Sequence, residues 1–155
     1  MKSIQIQLTT DCNHCCIMCR KYTWPKKEIP IDLLKVKLEK YPDATITFSG
    51  GDPLAYSALG ALVEYLSDNK RIYQVFTNLS YSLLQYSRRP FLALAKYVQI
   101  SFDAANEATY KAIRGKRADF KQLILNLEFL STSELSTKCK LNCVVSKENV
   151  EEIKE

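Results

Sequence analysis

Segments with a strand-like period and segments with a helical period alternate along the whole chain, and this alternation limits the possible folds more than any other feature. Period-two patterns predict strands at residues 4–8, 45–49, 72–77, 97–102 and 141–145. Helical patterns predict helices at 32–41, 54–68, 82–95 with Pro90 as a point of interruption, 107–113 and 120–130. Asn149 and Glu152 have the capping-box spacing of a further helix start. Alternating strands and helices build parallel sheets from βαβ units, so we expect an α/β domain over residues 1–155. The expected architecture is a partial (βα) TIM-like barrel of about five parallel strands with outer helices.

Three of the predicted strands carry polar side chains at every second position. Buried parallel strands are usually continuous apolar runs, and successive strand side chains point to opposite faces of a sheet. The polar positions are Gln5, Gln7 and Thr9 at the first strand, Thr45, Thr47 and Ser49 at the second, and Gln99, Ser101 and Asp103 at the fourth. The apolar positions between them are expected to face the helices. The polar set then faces either the lumen of the barrel, where it would surround a polar ligand, or solvent on an open sheet, and we expect the lumen.

The charge and hydropathy of the chain argue against a nucleic-acid or membrane partner. The formal charge of +5 comes from 22 basic and 17 acidic residues, and the longest basic runs are the pairs Lys26-Lys27 and Arg88-Arg89. Nucleic-acid binding needs a clustered basic stripe. No stretch approaches the roughly 18 apolar residues of a membrane span, and residues 1–8 are not an apolar signal block. We therefore expect a cytoplasmic protein whose six cysteines stay reduced and serve metal or redox chemistry.

Four cysteines fall within eight residues directly after the first predicted strand: Cys12, Cys15, Cys16 and Cys19. Thiolates at this density favour zinc, copper(I) or an iron–sulfur cluster. Two abutting C-x2-C pairs could hold zinc, but eight consecutive residues can hardly surround one ion tetrahedrally. In the alternative, Cys12, Cys16 and Cys19 bind three irons of a [4Fe–4S] cluster and Cys15 is a bystander. The fourth iron then stays open for a substrate.

The spacing C-x3-C-x2-C after the first strand resembles that of the radical S-adenosylmethionine superfamily, and further segments match its motifs at strand ends. Residues 49–53, Ser-Gly-Gly-Asp-Pro, resemble the Gly-Gly-Glu-Pro motif after the second strand. Thr77-Asn78 is similar to the Thr-Asn-Gly that often ends the third strand. Residues 101–103, Ser-Phe-Asp, resemble the Ser-Leu-Asp segment of strand four, and residues 110–115 resemble the Ile-Arg-Gly turn beyond it. The resemblance covers nearly the whole chain.

Three positions depart from the family pattern. Asp52 stands where Glu is commoner, and Leu79 replaces the usual Gly. Met18 occupies a position that often carries an aromatic residue near adenine. None of these differences removes a charge that the chemistry needs.

The resemblance implies a radical enzyme with two cofactors, a [4Fe–4S] cluster and S-adenosylmethionine. In the family, the methionyl amine and carboxylate chelate the open iron. An electron from the cluster then releases a 5′-deoxyadenosyl radical, which abstracts hydrogen from a substrate. The resemblance also implies an electron donor such as a flavodoxin or ferredoxin, and a substrate that is a peptide or a small metabolite.

The residues that the resemblance places around S-adenosylmethionine lie at the carboxyl ends of strands, where barrel active sites form. They are Gly50, Gly51, Asp52, Pro53, Asn78, Ser101, Asp103 and Arg114. The two glycines would let backbone approach the methionyl amine, in a turn that the Asp-Pro pair fixes. Ser101 and Asp103 would bond the ribose or the carboxylate, and Arg114 would pair with the methionyl carboxylate.

Two other functions stay open on the sequence: a catalytically silent iron–sulfur accessory module and a zinc-binding interaction domain. His14, the single histidine, is expected to be an exposed loop residue without a role. Cys143 lies on the same face of the predicted strand as the apolar Leu141 and Val145, so it is expected to pack in the core. A second cluster bound by Cys139 and Cys143 is therefore not expected. The family core usually has six βα units. We therefore expect a domain truncated after its fifth strand, which self-associates through an open edge or needs a downstream segment.

Overall fold

Five parallel strands form one sheet in chain order, as a computed structural model shows for residues 2–19 and 24–152. The strands are β1 Ser3–Thr9, β2 Thr45–Gly50, β3 Tyr73–Thr77, β4 Tyr97–Ser101 and β5 Cys139–Asn142. The helices in this part of the chain are α1 Ile31–Glu39, α2 Leu59–Asp68, α3 Arg88–Ala93, α4 Glu107–Arg114 and α5 Phe120–Ser131, with short 3-10 helices at Pro53–Ala55 and Glu134–Lys138. Each strand pairs in parallel with the next one along the chain. The predicted α/β class and partial barrel are therefore confirmed.

The apolar face of the sheet packs under the helices, as the strand periods predict. The strand residues buried there are Leu8 in β1, Ile46 and Phe48 in β2, Tyr73 and Val75 in β3, and Val98 and Ile100 in β4. They form one cluster with the inner faces of all five helices. The polar positions lie on the opposite face, where the Gln5 side-chain amide donates to the Ser49 hydroxyl at 2.9 Å. Burial of the apolar set thus leaves the polar set free to line a site.

Two helices begin later than the sequence pattern predicts. The predicted helix at 54–68 is divided into a 3-10 turn and α2, which begins at Leu59. The predicted helix at 82–95 begins at Arg88. Pro90 lies in the first turn of α3, where its missing N–H costs no hydrogen bond, so it does not interrupt the helix. No helix in the described part of the chain has the length and apolar character needed to cross a membrane.

The fifth strand lies two residues earlier than predicted. It covers Cys139–Asn142 rather than 141–145, so the strand period does not extend to Cys143, which is exposed. Leu141 and Val145 are 57% and 62% exposed, because the described helices do not cover this side of the sheet edge. The prediction that Cys143 packs in the core is therefore wrong. The prediction that an edge strand recruits a second chain or a downstream segment stays a prediction.

Asn149 and Glu152 connect the segment after β5 to the loop after β4 instead of forming a capping box. The Asn149 side-chain amide donates to the Asp103 carbonyl oxygen at 2.7 Å, and its oxygen accepts from the Ser146 N–H. The Glu152 carboxylate accepts from the Ala105 N–H at 2.7 Å. The helix that this pair was predicted to start covers residues 150–155, of which 153–155 lie outside the described residues.

Candidate functional site

A cavity of about 240 Å³ opens at the carboxyl ends of the strands, where the sequence motifs predict a site. Nine of the eleven predicted site residues line it: Cys12, Cys16, Cys19, Gly50, Gly51, Asp52, Asn78, Ser101 and Arg114. The other two, Pro53 and Asp103, do not line the cavity. Pro53 is buried in the 3-10 turn after β2, and Asp103 is buried against Arg114. The fold therefore gathers four separate motifs around one space.

The three cysteines predicted as cluster ligands face this cavity, and Cys15 does not. The Cys15 N–H donates to the Arg114 carbonyl oxygen at 3.0 Å, which turns this residue toward the end of α4. A Cβ added at Gly115, where φ is +89°, would lie 2.8 Å from the Cys15 carbonyl oxygen, so only glycine allows this packing. Among the described residues, no three or more His, Cys, Asp or Glu side chains come close enough to hold a single metal ion. The three thiols line one cavity together with the ends of β2, β3 and β4.

The Gly50-Gly51 pair brings the end of β2 against the loop that carries the cysteines. The Gly51 N–H donates to the Thr9 carbonyl oxygen at 2.7 Å, and the Asp52 N–H donates to the Asp11 carbonyl oxygen at 2.8 Å. A Cβ at Gly51 would lie 2.5 Å from the Asp11 carbonyl carbon, and one at Gly50, where φ is +134°, would collide with the Thr9 carbonyl oxygen. Both glycines are thus required for the close approach of these two backbones. That they also let backbone approach the methionyl amine stays a prediction.

Asp52 joins the ends of β2 and β3. Its buried carboxylate accepts from the Leu54 N–H at 2.9 Å, the Thr77 hydroxyl at 2.9 Å and the Asn78 N–H at 2.7 Å. Burial raises the pKa of Asp52 to about 6, although these three donors oppose the shift. The carboxylate is therefore engaged with the chain itself, and its structural effect is to fix the loop after β3 beside the loop after β2.

Arg114 is the last residue of α4 and lies beside Cys16. Its guanidinium forms a buried ion pair with Asp103, and its Nη1 lies 3.5 Å from the Cys16 sulfur. Asp103 also accepts from the Val144 N–H at 2.9 Å. Burial alone would lower the pKa of Arg114, but the neighbouring Cys16 and Asp103 together raise it. Burial raises the pKa of the Cys16 thiol, and the guanidinium opposes this. The pair thus places a fixed positive charge at one thiol.

Cys12 also lines the cavity and has two N–H donors. Burial and then the Asp52 carboxylate raise the pKa of the Cys12 thiol to about 12. The His14 backbone N–H and the Asn78 side-chain amide, each 3.4 Å from the sulfur, oppose that rise. A buried thiolate is stable only with such donors or with a metal bound to it. Three soft thiols on one cavity, two of them already accepting N–H groups, fit an iron–sulfur cluster.

His14 is buried, so the prediction that it is an exposed loop residue is wrong. It is 3% exposed, lines the cavity, and packs edge-on against Tyr110 with ring centroids 5.7 Å apart. Burial and the Arg114 guanidinium lower the pKa of His14 to about 4. Neither ring nitrogen has a hydrogen-bond partner within the described residues. Its position in the cysteine loop is the only sequence signal for this location.

Phe76 and Val144 also line the cavity, although the sequence motifs do not indicate them. Phe76 lies in β3 between the buried Val75 and Thr77, so the period-two rule applied to this strand predicts that it faces the lumen. Val144 follows β5 and is placed by the hydrogen bond from its N–H to Asp103. No local pattern could have indicated Val144, because its partner Asp103 lies in the loop after β4, distant in sequence.

Comparison with known proteins gives a family match over nearly the whole chain. The family model described as "Radical SAM superfamily" matches residues 6–155. The chain is 24% identical over 160 residues to the AdoMet-dependent heme synthase of Nitratidesulfovibrio vulgaris, covering 99% of this chain and 43% of that protein. It is 28% identical over 156 residues to the mycofactocin maturase MftC of Mycolicibacterium smegmatis, covering 96% of this chain and 39% of that protein. The chain thus spans about two-fifths of the length of these relatives.

Solved structures show a similar fold. A crystal structure of Streptococcus suis SuiB bound to the precursor peptide SuiA has a TM-score of 0.76 at 20% identity, covering 99% of this chain and 36% of that chain. SuiB bound to S-adenosylmethionine has a TM-score of 0.74 at 20% identity, covering 99% of this chain and 35% of that chain. At this level of identity the likeness concerns the fold, and it agrees with the five-stranded parallel sheet described above.

Proposed function

Because the chain belongs to the radical SAM superfamily, we propose that it binds a [4Fe–4S] cluster through Cys12, Cys16 and Cys19 and there cleaves S-adenosylmethionine reductively. The cofactors of this family are a [4Fe–4S] cluster and S-adenosylmethionine. The observation that carries the proposal is the placement of three thiols on the wall of one cavity, with Cys15 outside it. Thiols spread around a space suit a cluster of several irons better than one zinc ion.

Cys12, Cys16 and Cys19 would hold the cluster, which would supply the one electron that cleaves S-adenosylmethionine to methionine and a 5′-deoxyadenosyl radical, and this radical would take a hydrogen atom from the substrate. The chain holds and orients these groups. Three thiols leave one iron without a protein ligand. Arg114 offers a positive charge on the cavity wall for the methionyl carboxylate. Ser101 lies on the polar face at the end of β4, where it can bond the ribose.

Asp103 supports this site through Arg114. Its carboxylate is held by the guanidinium and by the Val144 N–H, and it does not line the cavity. A buried ion pair with a second hydrogen bond fixes the direction of the arginine side chain. We therefore assign Asp103 to positioning Arg114, and Pro53 to fixing the turn after β2.

The proposed substrate is a peptide or a small metabolite. The two curated relatives differ in this respect, since one is named a heme synthase and the other a maturase. The polar lumen, formed by side chains such as Gln5, Ser49 and Ser101, suits a substrate with hydrogen-bonding groups.

A flavodoxin or ferredoxin is the proposed electron donor. A reducing compartment such as the cytoplasm is the proposed location, because the three thiols must stay reduced to bind the cluster.

The proposal predicts that the chain forms 5′-deoxyadenosine. After anaerobic reconstitution with iron and sulfide, we expect S-adenosylmethionine to be converted to 5′-deoxyadenosine and methionine only when dithionite is present. The physical reason is that the sulfonium accepts an electron only from a reduced cluster. Liquid chromatography of the quenched reaction measures the product.

Cys16→Ala is the control, because it removes a ligand and should abolish the product. A chain that binds iron and sulfide stoichiometrically but forms no 5′-deoxyadenosine would show a silent accessory module. A chain that takes up zinc and no iron would show a zinc-binding domain. Either result would overturn the proposed activity.

A further inference from the structure

The Asn78 side chain makes contacts that a role in binding S-adenosylmethionine does not explain. Asn78 is buried directly after β3, and its Nδ2 lies 3.4 Å from the Cys12 sulfur and 3.0 Å from the Asn13 side-chain oxygen. Asn13 in turn donates from its own amide to the Ser80 carbonyl oxygen at 3.2 Å. Two side-chain amides thus join the cysteine loop to the loop after β3, and they meet at a predicted cluster ligand.

The orientation of this carboxamide is fixed by its neighbours. The Ser80 N–H donates to the Asn78 Oδ1 at 2.8 Å, and a backbone N–H can only donate. The oxygen of the carboxamide must therefore face Ser80, which leaves the NH2 group facing Cys12 and Asn13. The contact with the Cys12 sulfur is consequently that of a donor with an acceptor.

The loop after β3 is also held from α5. The buried Asn126 side chain donates to the Leu79 carbonyl oxygen at 2.7 Å and to the Tyr81 carbonyl oxygen at 2.8 Å. Leu79 has a φ of +54°, a conformation that costs energy for a non-glycine residue and persists only where the surroundings impose it. Asn126 thus stabilises a strained turn whose effect is to present the Asn78 amide to Cys12.

A hydrogen-bond donor on a ligating sulfur favours the reduced state of an iron–sulfur cluster. The reduced cluster carries one more negative charge, which is shared with its sulfur atoms, so an N–H group at the sulfur stabilises it more than the oxidised cluster. At Cys16 the corresponding donor is the charged Arg114, which is also paired with Asp103. Asn78 is therefore the neutral side chain whose removal tests the effect of a hydrogen bond without a change in charge.

We propose that Asn78 is a positioning residue that donates an N–H to the ligating Cys12 sulfur and raises the reduction potential of the cluster, with Asn126 holding its loop in place. The inference rests on the cluster ligation proposed above, and it assigns Asn78 to the cluster rather than to S-adenosylmethionine.

The test is a redox titration of the reconstituted chain, followed by the electron paramagnetic resonance signal of the reduced cluster. Asn78→Ser keeps an oxygen that can accept from the Ser80 N–H but has no N–H group to reach the sulfur. We expect the ratio of reduced to oxidised cluster at a fixed solution potential to fall about threefold to tenfold, where tenfold corresponds to about 59 mV for a one-electron couple. The midpoint potential responds to the hydrogen bond at the ligating sulfur. A purely structural change that keeps the full iron content and this hydrogen bond would leave the potential unchanged.

Ser80→Ala is the matched control. It lies in the same buried loop and removes a hydroxyl that contacts Tyr110 at 3.1 Å and the Asn78 carbonyl oxygen at 3.4 Å, but it leaves the amide at Cys12. We expect its potential to equal that of the unsubstituted chain. An unchanged potential in Asn78→Ser with full iron content, or an equal fall in Ser80→Ala, would overturn the inference.

Asn126→Ala is the second variant if Asn78→Ser holds too little iron to titrate. We expect its potential to fall in the same direction, because the loop that presents the amide is released, and an unchanged potential there would equally overturn the inference. Failure of the proposed function is distinguishable from all of these outcomes, because the unsubstituted chain would then either bind no cluster or bind one without forming 5′-deoxyadenosine. Neither result is a change in the potential of a bound cluster.

Discussion

Replacing Cys12, Cys16 or Cys19 by alanine is expected to reduce the iron content of the reconstituted chain from about four atoms to fewer than about one, because two thiolates do not hold a cubane cluster. Each of these thiols lines the cavity. Colorimetric iron and acid-labile sulfide assays on the anaerobically reconstituted chain measure the loss, and the visible absorbance of the cluster should disappear in parallel.

Cys15→Ala is the matched control for this loss. Cys15 neighbours Cys16 in the same loop, but its N–H is bonded to the end of α4 and it does not line the cavity. We expect this variant to keep the iron and sulfide content of the unsubstituted chain. Equal losses in Cys15→Ala and Cys16→Ala would contradict the ligand assignment and would favour the zinc arrangement of two abutting cysteine pairs.

The strand periods and the motif positions were sufficient to predict where the site forms. Ile46 and Phe48 are buried and Ser49 lines the cavity because side chains alternate across a strand, a property of the backbone that holds in any parallel sheet. The carboxyl ends of neighbouring parallel strands lie at one edge of the sheet, so motifs at strand ends meet whatever the intervening helices are. Local rules therefore predict the fold and the edge of the sheet at which the motif residues meet, but they do not indicate that His14, Phe76 and Val144 line the cavity.

The contacts inside the site could not be predicted in the same way, because each depends on a partner from a distant segment. His14 is buried by Tyr110 of α4, and Asp103 is held by Arg114 and Val144 rather than left free for a ribose. The Asn78 amide turns to Cys12 only because the Ser80 N–H fixes its oxygen. Sequence motifs identify which residues assemble, whereas the assembled loops determine what those residues bind.

The second large effect is expected at Gly51. A methyl group there would lie 2.5 Å from the Asp11 carbonyl carbon and 2.6 Å from the Thr10 carbonyl carbon, and backbone cannot move aside as a flexible side chain can. The loop that carries Cys12 must then separate from β2 and lose the bonds from the Gly51 and Asp52 N–H groups to it. We expect Gly51→Ala to lower the free energy of unfolding by about 3 kcal/mol or more, a fall of about 6–12 °C in Tm for a chain of this length.

Gly60→Ala shows whether this loss is specific to the contact between β2 and the cysteine loop. Gly60 lies in α2, and a Cβ there would meet only the Ser87 Cβ at 4.0 Å, so alanine should leave stability unchanged or raise it by up to about 1 kcal/mol through its better helix propensity. Thermal unfolding followed by circular dichroism measures both variants, and iron content after reconstitution should fall only in Gly51→Ala. A Gly51→Ala chain that keeps the Tm and the iron content of the unsubstituted chain would show that the cysteine loop does not depend on this close approach. The bonds from Gly51 and Asp52 would then not be what holds the three thiols around the cavity.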